Sequence, residues 1–376
     1  MKLGGNEFNR SELAGAFGDL GTLIPFAVGY ITINRLDPQG VLLGFGLLAL
    51  ATGLYFRTPM PVQPMKAIAT AAITHPDVVT RGAIFVAALA TGVLWLVLGA
   101  TRAVSWLAVL TSRPVVRGIV LGLGLSFILE GVKLMQGGPL LALGGAGLTF
   151  LLLGHPRLPA MLVLLGYGAA GALALDPTLT RDLGALTPHF RLPVLTVPAV
   201  TSGDALNGML LLALPQAALT LGNAVIATVE EHNTLFPRRP VSVRLLALDH
   251  GLMNLVAAPL GGVPMCRGAG GMAGHVRFGA RTGGALVILG LLLLVIALLL
   301  AESVGTVFRL FPMPVLGVIL FFGGIELAAG INGEASPRAE RTVFVVVAGV
   351  ALWNMGVAYL AGLALHHAAR RGFVRL

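Results

Sequence analysis

The chain has 376 residues, 56% of them hydrophobic and only 11% charged, with a mean hydropathy of +0.89. A soluble domain carries about a quarter charged residues, so the composition excludes a soluble globular enzyme and points to an integral membrane protein. The formal net charge of +9 would suggest nucleic acid in a soluble chain, but here the Lys and Arg residues flank apolar runs, which is the pattern of membrane topology.

Taken in chain order, the apolar runs predict fourteen membrane segments, at 11–33, 40–56, 60–74, 82–100, 114–131, 138–154, 158–175, 205–230, 242–258, 263–276, 283–301, 313–329, 340–353 and 355–367. Several are too short to cross alone and are expected to be half-helices or hairpin arms. The 51 Gly and 22 Pro suit closely packed, interrupted membrane helices, because the surrounding sequence is apolar. Cys266, the single cysteine, excludes an internal disulfide and reads as a small packing residue. The polar start MKLGGNEFNRSE predicts no cleavable signal, and no regulatory domain is expected after HHAARRGFVRL. With the amino terminus inside, most Lys and Arg residues fall at cytoplasmic ends. A multi-pass cell-membrane protein with both termini in the cytoplasm follows.

The first segment, AGAFGDLGTLIPF, places Asp19 among Gly15, Gly18 and Gly21, with Thr22 one residue further on. A carboxylate inside the membrane marks an ion or proton path, or it pairs structurally with Lys66. The third segment, MPVQPMKAIAT, carries Pro61 and Pro64, which block a continuous helix and predict a short extended stretch followed by a half-helix from about Pro64. The free N–H groups of such a half-helix favour an anion, with Met65 at its start, Gln63 adding donors and Lys66 a full charge. The bland alternative is a kinked packing helix whose lysine snorkels to the surface.

The connector at 177–204 is polar and proline-bearing, and reads as an external loop. The eighth segment, LTLGNAVIATVEEH, offers Asn223 as a donor, with Glu230, Glu231 and His232 near its inner end as proton carriers or as a solvated helix end. Asp249 and His250 read as a structural pair in the ninth. The tenth, GGVPMCRGAGG, repeats the design of the third with more glycine, so Arg267 and the backbone of Gly268 and Ala269 are expected at the ligand. Its alternative is a cytoplasmic re-entrant loop with a surface arginine.

Pro64-Met65 and Pro264-Met265 lie 200 residues apart, as do Pro114-Val115 and Pro314-Val315, and Gly124 and Gly324. This register predicts a duplication. With seven segments per half, an odd number, the second half enters the bilayer upside down. The units are then a first repeat at 1–176, the linker at 177–204 and a second repeat at 205–376. Two facing half-helices form the substrate site, as in secondary transporters. Neither a nucleophile–base pair nor a metal or cofactor motif stands out, so an enzyme is not expected.

Three segments, PMPVQPMKAIATAAI, TLGNAVIATVEEHNTLFPRR and GLMNLVAAPLGGVPMCRGAGGMAGHVRFGARTGG, resemble the signatures of the molybdate transporter family, a branch of the sulfate permease superfamily. AGAFGDLGTLIPF fits the same family, and the resemblance runs over nearly the whole chain. It implies an all-α fold of fourteen segments in two inverted repeats, shared with uracil and sulfate permeases. Segments one to four and eight to eleven would form a core, the remainder a gate, and substrate would sit between segments three and ten. The implied activity is import of a tetrahedral oxyanion, molybdate first and sulfate second, by alternating access. Proton symport through Asp19 or Glu230 would supply the coupling. A sulfate or other anion transporter, or an uncoupled anion channel or motor, would use the same architecture. No cofactor and no nucleic acid are implied; the partners are the anion, protons, the bilayer and a second copy in a homodimer.

Overall fold

The computed structural model describes residues 2–110, 112–153, 155, 158–329 and 338–374. Of the expected boundaries, residues 1, 154 and 376 lie outside the described residues. The molecule is built almost wholly of helices. A small hairpin, β1 (Lys2–Leu3) with β2 (Asn6–Glu7), precedes α1 (Arg10–Ala16) and α2 (Leu20–Thr32). Then come α3 (Pro38–Phe56), β3 (Gln63–Pro64), α4 (Lys66–Thr74), α5 (Arg81–Ala100), α6 (Ala103–Leu110), α7 (Arg113–Gln136), α8 (Pro139–Leu152), α9 (Ala160–Leu175) and α10 (Pro177–Gly184). A long bent helix follows, comprising α11 (Ser202–Leu206), a π-helical run (Asn207–Ala213), α12 (Leu214–Leu219), a second π-helical run (Thr220–Ala227) and α13 (Thr228–Leu235). The chain continues with α14 (Val243–Ala257), β4 (Met265–Cys266), α15 (Ala269–Arg277), α16 (Gly284–Leu299), α17 (Val304–Phe308), α18 (Met313–Ala329), α19 (Arg338–Trp353) and α20 (Met355–Arg370).

Helix starts follow local chemistry. Asn9, Thr80 and Ser242 accept from backbone N–H groups of α1, α5 and α14, and Pro38 opens α3 behind its cap Asp37. Four stretches, Pro38–Phe56, Arg81–Ala100, Arg113–Gln136 and Val243–Leu260, are each long and apolar enough to cross a membrane. Four bent pairs bring this to eight: α1 with α2 (41°), α9 with α10 (105°), Ser202–Ala217 with Thr220–Leu235 (45°), and α16 with Ala301–Phe308 (98°). The fourteen expected segments therefore do not all appear as full spans. With nine residues each, α4 and α15 reach only about 14 Å at the helical rise, half of a hydrocarbon core.

The connector expected as a loop contains α10, capped by Asp176 with Pro177 at its first position. The Arg309 guanidinium bonds Asp176 and Asp182 and holds the Asp176 carboxyl below the usual carboxylate range. Beyond α10 the chain has no helix or strand until α11, and Arg191 makes a two-pronged ion pair with Asp37 at 3.0 and 2.9 Å.

Two groups of helices pack through glycine. In the first, α3 lies on α16 and α5 on α14, with Gly46 against Leu294, Gly53 against Gly283, and Gly251 against Leu96. In the second, α7 lies on α18 and α19, with Gly131 against Gly317 and Gly122 against Ala351. Lipid supplies no hydrophobic drive between helices, so such close backbone approach is how they gain dispersion contact.

Candidate anion-binding site

Pro61 and Pro64 leave the stretch between α3 and α4 without helical hydrogen bonds, and its backbone pairs across the molecule instead. Antiparallel strands β3 and β4 match Gln63 with Cys266 and Pro64 with Met265, while Met65 N–H donates to the Pro264 carbonyl at 2.9 Å. Both half-helices begin directly after this pairing, α4 at Lys66 and α15 at Ala269. The broken-helix expectation around Pro64 and Pro264 is met: two short extended segments lead into two half-helices. The first N–H groups of each have no carbonyl within their own helix. Gln216 on α12, which sequence reading passed over, accepts from Ala67 N–H at 2.9 Å.

Asp19, Thr22, Gln63 and Asn223 are buried, and Lys66 is partly buried with its ammonium inside. Gln63 donates its amide Nε2 to both carboxylate oxygens of Asp19, each at 2.8 Å. Asp19 thus pairs with Gln63; the structural pair with Lys66, one of the two readings of Asp19 offered by the sequence, is not formed as an ion pair among the described residues. Thr22, in the first turn of α2, faces Asp19 without completing a hydrogen bond to it. Buried with no hydrogen-bond partner are Lys66 Nζ, Gln63 Oε1, Thr22 Oγ1 and Asn223 Oδ1. An unsatisfied buried polar atom is costly, and Asn6 Oδ1, Tyr30 OH, Asn34 Oδ1, Thr91 Oγ1 and Trp95 Nε1 share that condition elsewhere in the interior.

Glycine on α15 makes room for this arrangement. A Cβ at Gly268 would collide with Gln63 Oε1, and one at Gly271 would lie 2.6 Å from Asp19 Oδ2. The first hairpin's amide is therefore laid directly on the second half-helix. Ala269 and Met65 are fully buried beside it.

Arg267 does not join this group. Its guanidinium makes a two-pronged ion pair with Asp249 at 2.7 and 2.9 Å, and donates to Thr52 Oγ1 at 2.8 Å and the Pro61 carbonyl at 3.0 Å. Its backbone N–H meets His250 Nε2 at 3.1 Å. The side chain is 2% exposed, with its charge compensated by Asp249. The expected ligand is a strut tying α3, α14 and the first hairpin together. The cause is local: Cys266 and Gly268 are extended, so successive side chains point to opposite faces, whereas Lys66 is already helical. Asp249 and His250, read as partners of each other, both serve Arg267. Glu230 is exposed on α13, and no described bond links it to Asp19 or Lys66.

The sequence profile described as "Molybdate transporter of MFS superfamily" matches residues 11–127 and 208–327. Molybdate transporter 2 of Arabidopsis thaliana is 32% identical over 93% of this chain and 84% of its own length. Molybdate transporter 1 of Chlamydomonas reinhardtii is 28% identical over 94% and 90%. Among solved structures, the transmembrane domain of a cyanobacterium bicarbonate transporter, BicA, superposes with a TM-score of 0.57 at 16% identity, covering 94% of this chain and 99% of that one. The murine Slc26a9 anion transporter gives 0.64 at 14% identity, covering 100% and 70%. Those two likenesses concern the fold. The matched profile takes in both half-helices and the buried groups around them, and with the relatives it establishes that this integral membrane chain belongs to the molybdate transporter family.

Proposed function

We propose that the protein imports a tetrahedral oxyanion, molybdate before sulfate, by alternating access. The observation that carries this reading is Lys66: a buried ammonium without a hydrogen-bond partner, at the start of a half-helix. Lysines inside membrane spans are rare and mark substrate or ion pathways. Thr22 adds a free hydroxyl, and the first turns of α4 and α15 add N–H groups and the positive ends of their dipoles. Gln63, Pro64, Met65, Gly268 and Ala269 shape the site, Asn223 borders it, and Arg267 braces it.

Fourteen segments in two inverted repeats, 1–176 and 205–376 about the linker 177–204, remain our reading of the architecture. Helix pairing supports it. Adding about 200 residues to α3 gives α14, and subtracting them from α16 gives α5, so the pair α3–α16 is exchanged with α14–α5. Segments one to four and eight to eleven act as core, the others as gate. Both termini are cytoplasmic in the cell membrane, and two copies pair as a homodimer.

Each negative charge moved inward against 100 mV costs about 2.3 kcal/mol, so a dianion requires coupling. Asp19 is the proton carrier that fits best. A carboxylate beside an incoming dianion repels it, and protonation removes that repulsion; Lys66 and His275 are the charged and titratable groups facing it. Labelled molybdate uptake into proteoliposomes, with sulfate as competitor across a pH series, tests the assignment. Wild type should concentrate molybdate with a dependence on external pH, Lys66→Ala should lose at least tenfold of the rate, and Asp19→Asn should lose the pH dependence. Unchanged uptake in Lys66→Ala removes the site; unchanged pH dependence in Asp19→Asn removes the carrier.

A further inference from the structure

The group facing the Lys66 ammonium comes from neither half-helix. Phe127 lies on α7, and its ring centroid is 3.8 Å from Lys66 Nζ. The edge of the same ring closes on α15: a Cβ at Gly270 would lie 2.5 Å from Phe127 Cε2 and 2.7 Å from Cζ. One phenyl group thus touches the first turn of both half-helices while remaining 6% exposed. Its backbone is held firmly, since Gly324 of α18 approaches so closely that an added Cβ would lie 2.9 Å from Phe127 Cβ. The ring therefore belongs to the α7–α18 unit and reaches across into the space before α4 and α15.

We infer that Phe127 is a stand-in for the anion, occupying the charged face of Lys66 while the site is empty and setting the affinity that any anion must exceed. This inference rests on the reading of Lys66 as the anion ligand. The face of a phenyl ring carries the negative end of its quadrupole and attracts a cation, the more so when both are dry. The Asp19 carboxylate lies near Lys66 but makes no ion pair with it among the described residues. A buried ammonium with no direct partner would be costly to keep in a closed, empty carrier. With the ring in place, the ammonium keeps a partner during the return step, and water is kept from the half-helix ends. An arriving anion displaces the ring and forfeits the same attraction whatever its identity. Coulomb attraction scales with ligand charge, so a dianion overcomes that fixed loss while an abundant monoanion such as chloride is held to weak binding.

The test is equilibrium binding of labelled molybdate to the purified full-length protein in detergent, with chloride as competitor. Phe127→Leu keeps an apolar side chain of similar bulk and removes the ring; Phe127→Met is the second variant should the first not purify as a monodisperse species. We expect molybdate to bind about 3- to 10-fold more tightly, and the chloride competition constant to tighten by the same factor. A ring that merely shapes the pocket would change the two anions by different factors. Affinities within twofold of wild type, weaker binding, or unequal factors overturn the stand-in. Lys66→Ala separates the two layers: if it abolishes molybdate binding while the Phe127 variants bind as wild type, only the stand-in falls. If Lys66→Ala binds molybdate normally, the reading of the site itself falls.

Discussion

Lys66 and Arg267 look equivalent in the sequence and do opposite things in the molecule. In the 200-residue register, Lys66 stands opposite Cys266, so Arg267 is one position late. In extended backbone a one-residue slip moves a side chain to the other face. The slip takes Arg267 out of the site and into a buried pair with Asp249, roofed by Thr52 and the Pro61 carbonyl. Removing one partner of such a pair strands the other, at about 3–5 kcal/mol. Arg267→Ala and Asp249→Ala should each lower thermal stability in detergent by that order, and the double variant should recover part of the loss. Strictly additive losses would show that the pair is not coupled. The Asp19–Gln63 bond carries a similar lesson: both residues stand out in the sequence, which leaves Asp19 as an ion or proton path or as a partner of Lys66 and gives no sign of its bond to Gln63.

Helices show where composition and local punctuation suffice. The uninterrupted spans α3 and α5 match the apolar runs at 40–56 and 82–100, and prolines correctly placed the breaks before α4 and α15. Polar composition misled at α10, where Asp176-Pro177 is a helix-start signal inside a stretch read as a loop. The π-helical runs around Gly208 and Asn223 left no mark in the apolar pattern, since NGMLLLA and TLGNAVIA are apolar on most sides and carry little period for a wider turn to shift. Close approach of helices can be tested by adding a single methyl. At Gly53 an added Cβ collides with the Gly283 carbonyl, and at Gly290 it lies 2.6 Å from Leu50 N; at Gly147 it meets nothing within 4 Å. Gly53→Ala and Gly290→Ala should each cost roughly 1–3 kcal/mol by overpacking, and Gly147→Ala should leave the unfolding midpoint unchanged. Equal midpoints for all three would mean that α3 and α16 yield easily.

Across the molecule, two of the contacts between the α7–α18 unit and the half-helices involve a charged side chain. Phe127 covers Lys66, and Glu326 of α18 pairs with Arg277 at the end of α15 at 3.0 Å. Alternating access by rocking one unit against the other would have to make and break that ion pair. Arg277→Glu and Glu326→Arg should each slow molybdate uptake severalfold, and the combined swap should restore most of the rate. A swap as slow as the single variants would place the pair outside the moving interface.

Membrane class, the positions of the helix breaks and the presence of a lysine at one of them were all readable in the chain, because each depends on residues a few positions apart. Hydropathy over a span, proline geometry and glycine spacing are short-range properties. What each of those residues touches was settled by folding alone. Asp19 with Gln63, Arg267 with Asp249 and Lys66 with Phe127 each depend on which helix faces meet. Those faces are chosen by the close packing of many glycine-lined surfaces at once, and no local propensity encodes that choice.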